Sequence, residues 1–313
     1  MISSKIENIW KNFEENCKEK TPYDLMFWKS IWLKHFSEGY NFEYIYNDNV
    51  FIPIKIKDSI GSIIGDKDIV DYNNILFLNQ NFSDFEDLIN RIFALKINKF
   101  EIFSISENSS TFKNLSNKKL LDNYNINFQK EDVSPYLNLP NNWDEYLSLL
   151  SKKNRHELRR KIRRLEQIDD FISGDYSSID HKDEILYDFF RLHKMSSTEK
   201  DMFMTKKMET FFRDLIIEML EKNTLLYSYL KIENKTVACS ISFLYENIRF
   251  LYNSGFDPSY NSFSSGLLNH AFAIKRSIEQ KVEVFDFMRG NERYKYDLGA
   301  SDKSLYTFQI EKK

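Results

Sequence analysis

The sequence predicts an α/β or α+β chain of two domains, and three observations lead there. Its 313 residues are about twice a typical domain. Strand-like runs in the first part pass into alternating helix and strand. The second part reads as helices, an antiparallel meander, a helix and a further strand. Hydrophobic residues make up 42% of the chain, ample material for packed cores and evidence against disorder.

The elements follow in order. Thr21 as cap with Pro22 at the first helical position starts a helix through Leu25, Trp28, Trp32 and Phe36. Strands are expected over 42–46, 50–57 and 74–78. A helix on Phe85, Leu88, Ile89, Ile92 and Phe93 follows, then a strand over 99–104 and a further helix and strand to about residue 130. Pro135 and Pro140 bracket Tyr136-Leu137-Asn138-Leu139, which places a boundary between domains 1–135 and 136–313, with the closing strand free to pack back on the first. One helix is expected from Asn142 through Trp143, Tyr146 and Leu147 into the basic stretch ending at Leu165. Helices led by Ile185 and Met208 come next. Strands over 225–231 and 236–245 flank the turn Ile232-Glu233-Asn234-Lys235, and a third covers 248–253. Ser264-Ser265-Gly266 opens a helix with the stripe Leu267, Ala271, Ile274 and Ile278. A buried strand is expected over 282–288 and a closing one over 305–310.

Composition removes several classes. No window approaches ~18 apolar residues, so no membrane span is expected and only peripheral association stays open. The first twenty residues carry charge throughout, without a signal-peptide core, and a cytoplasmic location follows as the expectation. Cys17 and Cys239 stand far apart, and the five histidines form neither HxH nor HExxH, so no disulfide framework and no metal site are expected. The net charge of −3 decides nothing by itself. Its distribution does.

The stretch Phe285-Asp286-Phe287-Met288-Arg289-Gly290-Asn291-Glu292-Arg293-Tyr294-Lys295 resembles a motif of the CelD-like acetyltransferases of the GNAT superfamily, a group related to the FemABX peptidoglycan aminoacyltransferases. Trp143 to Leu165 is similar to a second family stretch, and Gly255-Phe256-Asp257-Pro258 with Ser264-Ser265-Gly266-Leu267-Leu268 to a third. Thr21-Pro22, Trp28, Trp32 and Ile52-Pro53-Ile54 match the family's opening more loosely. Ser265 stands where the family usually has proline, and the full phosphate loop of ordinary GNAT enzymes is absent. The resemblance implies two tandem GNAT-like domains, each a mixed, largely antiparallel sheet flanked by helices. It also implies acyl transfer to an amine, with acyl-CoA as donor in one branch and aminoacyl-tRNA in the other.

Three constellations carry the chemistry. Between Lys152 and Arg164 lie eight Lys/Arg and one acid, Glu157, while Leu158, Ile162 and Leu165 form one apolar stripe. Like charges at i,i+4, such as Arg155 and Arg159, cost roughly 0.2–0.5 kcal/mol each. The helix therefore either meets an anionic partner or is a solvated face neutralised by acids of neighbouring elements. Sequence-specific DNA binding is not expected. Backbone N–H groups at Ser264, Ser265, Gly266 and Leu267 suit a donor pyrophosphate, and an ordinary serine cap is the alternative. In the terminal segment Lys295 is the first choice to steady a carbonyl oxyanion or a donor phosphate. Glu292 would orient the acceptor amine or take its proton, and Asp286 would orient a neighbour or simply pair with Arg289 or Lys295. Arg155, Arg159, Tyr252, Asp257, Arg289 and Tyr294 complete the candidate substrate contacts.

The expected activity is N-acylation of an amine on a small-molecule or nucleotide-linked, phosphate-bearing acceptor, such as a nucleotide amino sugar or an envelope polysaccharide precursor. No serine or cysteine is marked as a nucleophile with its own base, so direct attack of the amine is expected. A FemABX-like transferase binding tRNA, and a non-catalytic polyanion-binding module, are the alternatives.

Overall fold

A computed structural model describes residues 2–168 and 170–313 and divides the chain into two compact units, Met1–Val133 with Lys303–Lys313, and Ser134–Asp302. The first unit opens with α1 (Ser4–Asn16) and, after a 3-10 turn at Pro22–Asp24, α2 (Met26–Phe36). Thr21 and Asp24 close a reciprocal capping box ahead of α2. Then come β1 (Asn41–Tyr46), β2 (Val50–Lys57), β3 (Ile60–Ile63), β4 (Leu76–Phe77), α3 (Phe82–Ala94), β5 (Lys99–Ser106) and α4 (Ser110–Leu115). Strand β6 (Tyr124–Asn138) runs straight through the segment before Pro140.

The second unit carries α5 (Trp143–Leu149), α6 (Lys152–Leu165), β7 (Phe171–Tyr176), α7 (Lys182–Ser196), α8 (Thr198–Phe203) and α9 (Lys206–Glu221). The meander β8 (Leu225–Ile232), β9 (Lys235–Tyr245) and β10 (Ile248–Phe256) leads into α10 (Ser265–Glu279), β11 (Val284–Asp286) and α11 (Arg293–Asp297). Strand β12 (Ser301–Lys312) ends the chain. Three expectations need correction. Thr21 and Pro22 start only the 3-10 turn, and α2 begins separately at Met26 with Leu25 as its N-cap. The helix from Asn142 to Leu165 is broken, because the Ser151 hydroxyl accepts from Asn154 N–H (3.2 Å) and starts α6 afresh. The strand over 282–288 shortens to β11, and the chain turns at Met288 with φ 61°.

Both units use one plan, a tandem α/β arrangement. Three antiparallel strands, a crossover helix and a parallel strand occur as β1-β2-β3-α3-β5 and again as β8-β9-β10-α10-β11. Strand β5 also pairs antiparallel with β12, and β11 with β6. In the first unit α3 lays Phe85, Leu88, Ile89 and Ile92 on β2 and β5, the 3.6-residue stripe visible in its sequence. In the second, α10 packs Leu268, Ala271 and Ile274 with Leu251 and Phe285.

A buried ion triad holds α10 to this sheet. Asp175 on β7 meets Arg249 of β10 (3.0 Å) and Arg276 of α10 (2.8 Å). Burial would raise its pKa, but the two guanidinium groups outweigh that and hold it at about 2. Helix α7 comes closer still to β10. A Cβ on Gly255 would stand 2.3 Å from the His193 backbone N and 2.4 Å from the Leu192 carbonyl carbon, so only glycine fits. Two histidines are packed neutral in the same unit, His193 from α7 and His270 from α10. Burial, with the positive charge of Lys200, pushes each down to about 3.

Two outcomes follow. Gly255→Ala is expected to destabilise the chain by about 3 kcal/mol in urea unfolding, since backbone atoms cannot yield as a side-chain tip can. Unfolded histidine binds its proton near pH 6.5, whereas these two stay neutral to about 3 when folded. Stability is therefore full above pH 6.5 and lost as pH falls below it, by about 2 kcal/mol per histidine at pH 5. Asp175, with its lowered pKa, adds acid sensitivity only below its unfolded value of 3.8. Urea midpoints at pH 7.5 and 5.0 measure the histidine effect, and equal midpoints would exclude it.

Candidate active site

Strands β10 and β11 run parallel for three residues only, the last pair being Phe250 with Asp286. Beyond it β10 continues to Phe256, with a bulge between Leu251 and Asn253, while β11 stops. The seam this opens is lined on its β10 side by backbone groups that need other partners. Ser254 N–H finds the Asn253 side-chain oxygen (2.8 Å), and Ser254 C=O accepts from Lys200 Nζ on α8 (2.6 Å). The Ser196 hydroxyl accepts from Phe256 N–H at 2.9 Å. Burial pushes the Lys200 ammonium below the usual lysine range, and Cys239 and Glu292 pull it back. The Asn253 side chain also hydrogen-bonds His193.

The opposite wall is the loop from β11 to α11. Asp286 is buried and its Oδ1 accepts from Met288 N–H (2.8 Å) and the Ser134 hydroxyl (3.3 Å), which fixes the turn out of β11. Lys295 is 2% exposed. Its Nζ donates to the carbonyls of Met288 (3.0 Å), Arg289 (2.8 Å) and Gly290 (3.0 Å) and pairs with Glu292 (2.9 Å). All three ammonium protons are thus engaged, and Lys295 serves to shape the loop. Glu292 stays exposed at the wall. Tyr294 stacks on His270 at 5.1 Å, and burial pushes its phenol well above the usual range.

The remaining candidates divide. Tyr252 is core, packed against Phe212 and Phe243. Asp257 is buried, accepts from Ser259 N–H (3.0 Å) and pairs with Lys235 (2.8 Å), the chemistry of a turn. Burial would raise its carboxyl, but the bonds from Lys235 and Ser259 together outweigh that and hold it below the usual range. Arg289 is half-buried on the loop. Arg155 is half-buried, its guanidinium 3.5 Å from Ser148 C=O, and Arg159 is exposed.

The serine turn is not an ordinary cap. Ser264 sits left-handed (φ 56°) at the α10 N-terminus without capping it, and its hydroxyl accepts from Lys161 Nζ of α6 at 2.6 Å. Ser265 is buried with its hydroxyl unpartnered, and Gly266 lies against the Phe256 ring. A groove of about 290 Å³ runs from there between α6, α10 and α11, lined by Lys153, Glu157, Lys161, Leu267, Arg293 and Asp297 among others. Among the described residues of its unit, α6 forms one ion pair, Glu157 with Arg160 inside the helix (2.9 Å), so its other basic side chains have no carboxylate within ion-pair distance, although Asp297 shares their groove. Sequence reasoning missed Lys200, Asn253, Ser196 and His270. None sits in a recognisable pattern. Among the described residues no group of three or more metal-ligating side chains gathers, and no helix is long and apolar enough to cross a membrane.

Comparison with known proteins agrees with this architecture. Residues 152–296 match the model of an acetyltransferase (GNAT) domain. The chain shares its fold with a conserved protein of unknown function from Bacteroides thetaiotaomicron (TM-score 0.65, 14% identity, 99% of this chain and 98% of that one). FemX is similar as well (TM-score 0.64, 11% identity, 98% and 96%). So is the C-terminal domain of a putative lysylphosphatidylglycerol synthetase from Agrobacterium fabrum (TM-score 0.62, 10% identity, 98% and 92%). No curated protein matches in sequence. With the crossover β10-α10-β11, the parted strands and the matched segment all in one unit, the chain carries, over residues 152–296, a segment that matches an acetyltransferase (GNAT) domain.

Proposed function

We propose that the Ser134–Asp302 unit is an N-acyltransferase that takes an acyl group from acyl-CoA and passes it to an amine of a polar, phosphate-bearing acceptor. A nucleotide-linked amino sugar or an envelope polysaccharide precursor in the cytoplasm has the required chemistry. The observation that carries this reading is the uncapped N-terminus of α10 with Lys161 beside it, next to the seam between β10 and β11. First-turn N–H groups and an adjacent ammonium suit the diphosphate of a CoA donor. The uncompensated charge along α6 suits further phosphates, whether of the donor or of the acceptor. In this reading the amine attacks the thioester carbonyl directly, and Glu292, the exposed carboxylate of the far wall, takes its proton. Asp286 and Lys295 hold the loop that presents Glu292.

A second donor has specific support. The basic face of α6 and the fold-level likeness to FemX favour aminoacyl-tRNA, whose backbone would lie along Lys152, Arg159 and Arg163.

Isothermal titration with acetyl-CoA and, separately, with aminoacyl-tRNA distinguishes the donors. Acetyl-CoA is expected to bind, and Lys161→Ala to weaken it about tenfold, the loss of one charge-assisted hydrogen bond. Binding of aminoacyl-tRNA alone transfers the reading to the second donor. Salt-sensitive polyanion binding with no turnover of either donor identifies a non-catalytic module.

A further inference from the structure

The reaction needs a cation or donor pair at the carbonyl oxygen, and Lys295 has no proton left to give. A second lysine enters the seam from the other wall. Lys200 donates to Ser254 C=O at 2.6 Å. Ser254 N–H is held by the Asn253 side chain, so both backbone groups of this residue point away from β9, to the side that β11 has left. An ammonium carries three N–H donors. Among the described residues, Ser254 C=O is the one acceptor of the Lys200 ammonium, and no carboxylate lies within ion-pair distance of it. Glu292, on the facing wall, is near enough to act on it electrostatically, and the charge of Lys200 itself helps to keep His193 and His270 neutral.

A lysine placed this way is poorly explained by stability. Its charge is largely removed from water and two of its donors are idle, whereas an apolar side chain of similar length would fill the space without that cost. An anion arriving in the seam would take up an idle donor. We infer that Lys200 is the catalytic cation of acyl transfer, one of its two uncommitted N–H bonds binding the oxygen of the acyl carbonyl. This rests on the acyltransferase reading of the seam. The amine lone pair forms the new C–N bond, and the carbonyl π pair moves onto oxygen beside Lys200. When that pair returns, the C–S bond breaks, the sulfur leaves with its electrons, and the amine's proton passes by way of Glu292 to the departing thiolate.

The test is steady-state thiol release from acetyl-CoA with a UDP-linked amino sugar as acceptor, together with thermal unfolding. Lys200→Met is expected to lower kcat about 100-fold, the scale for removing an oxyanion donor. KM for acetyl-CoA should stay within about threefold, and the melting temperature should not fall. Lys200→Arg should recover part of the lost kcat. Should Lys200→Met fail to fold, Lys200→Gln, which loses the charge but keeps a neutral donor, is expected to lower kcat by about tenfold or more. Unchanged kcat in the uncharged variants overturns the assignment, as does a loss of kcat matched by loss of thermal stability and a raised KM. Wild-type protein inert with both acetyl-CoA and aminoacyl-tRNA overturns the acyltransferase reading of the seam, and this assignment with it.

Discussion

A backbone N–H or C=O taken out of water must find a partner. Strand β10 loses its neighbour after Phe250, yet its next residues stay in the protein interior or at its margin. Side chains therefore stand in for the missing strand: Asn253 for the Ser254 N–H, Lys200 for the Ser254 C=O, Ser196 for the Phe256 N–H. That requirement dictates the surroundings. The end of α7 must lie close enough for Ser196 to reach, and this is why a residue larger than glycine cannot occupy position 255. The same close approach buries His193 in a neutral state.

The facing wall solves a related problem by different means. Past β11 the chain adopts left-handed geometry at Met288 and a positive φ at Gly290, conformations that no strand ladder stabilises. Three consecutive carbonyls are gathered instead by one buried ammonium, Lys295, and the turn is tied below by Asp286. Charged-group hydrogen bonds of this kind contribute roughly 1.5–3 kcal/mol each. A rigid loop is the result, with Glu292 left exposed on it. Rigidity here and idle donors on Lys200 opposite suit a site where charge develops on a reacting atom.

Much of the fold was legible because apolar spacing reports it directly. The stripes of α3 and α9 and the two-residue turn with Glu233 and Asn234 at positive φ were plain in the sequence. Elements without such spacing were not: α8 is six mostly polar residues, β3 and β7 each contain a glycine, and α11 is a single turn. The site was half legible. Residues 285–295 could be singled out, but the sequence cannot show that Lys295 would turn inward onto three carbonyls. Lys200 has no signal at all, since Ser-Thr-Glu-Lys-Asp reads as a solvated turn until β10 is seen to need its ammonium. The basic helix could be read either as neutralised or as open, and what separates the two is that, among the described residues of its unit, Glu157 with Arg160 is the one ion pair α6 makes.

One architecture occurs twice, but the features of a reaction site occur in one unit. In the first unit the parallel pair also parts, but there β5, the counterpart of β11, outruns β3, pairing with it only to Glu101. There Asn73 closes the edge, donating its backbone N–H to Ser104 C=O (3.1 Å) and its side chain to Phe103 C=O (3.1 Å). Helix α3 is capped conventionally, the Asn81 side chain accepting from Ser83 N–H at 3.2 Å, and no basic helix packs beside it among the described residues. In the second unit the free edge is that of β10, the counterpart of β3; a lysine with protons to spare holds it, and the corresponding helix begins uncapped beside Lys161. The two sheets differ little in topology. What differs is whether a neutral amide closes the free edge, as Asn73 does in the first unit, or a lysine closes it and leaves charge and donors for an incoming anion, as in the second.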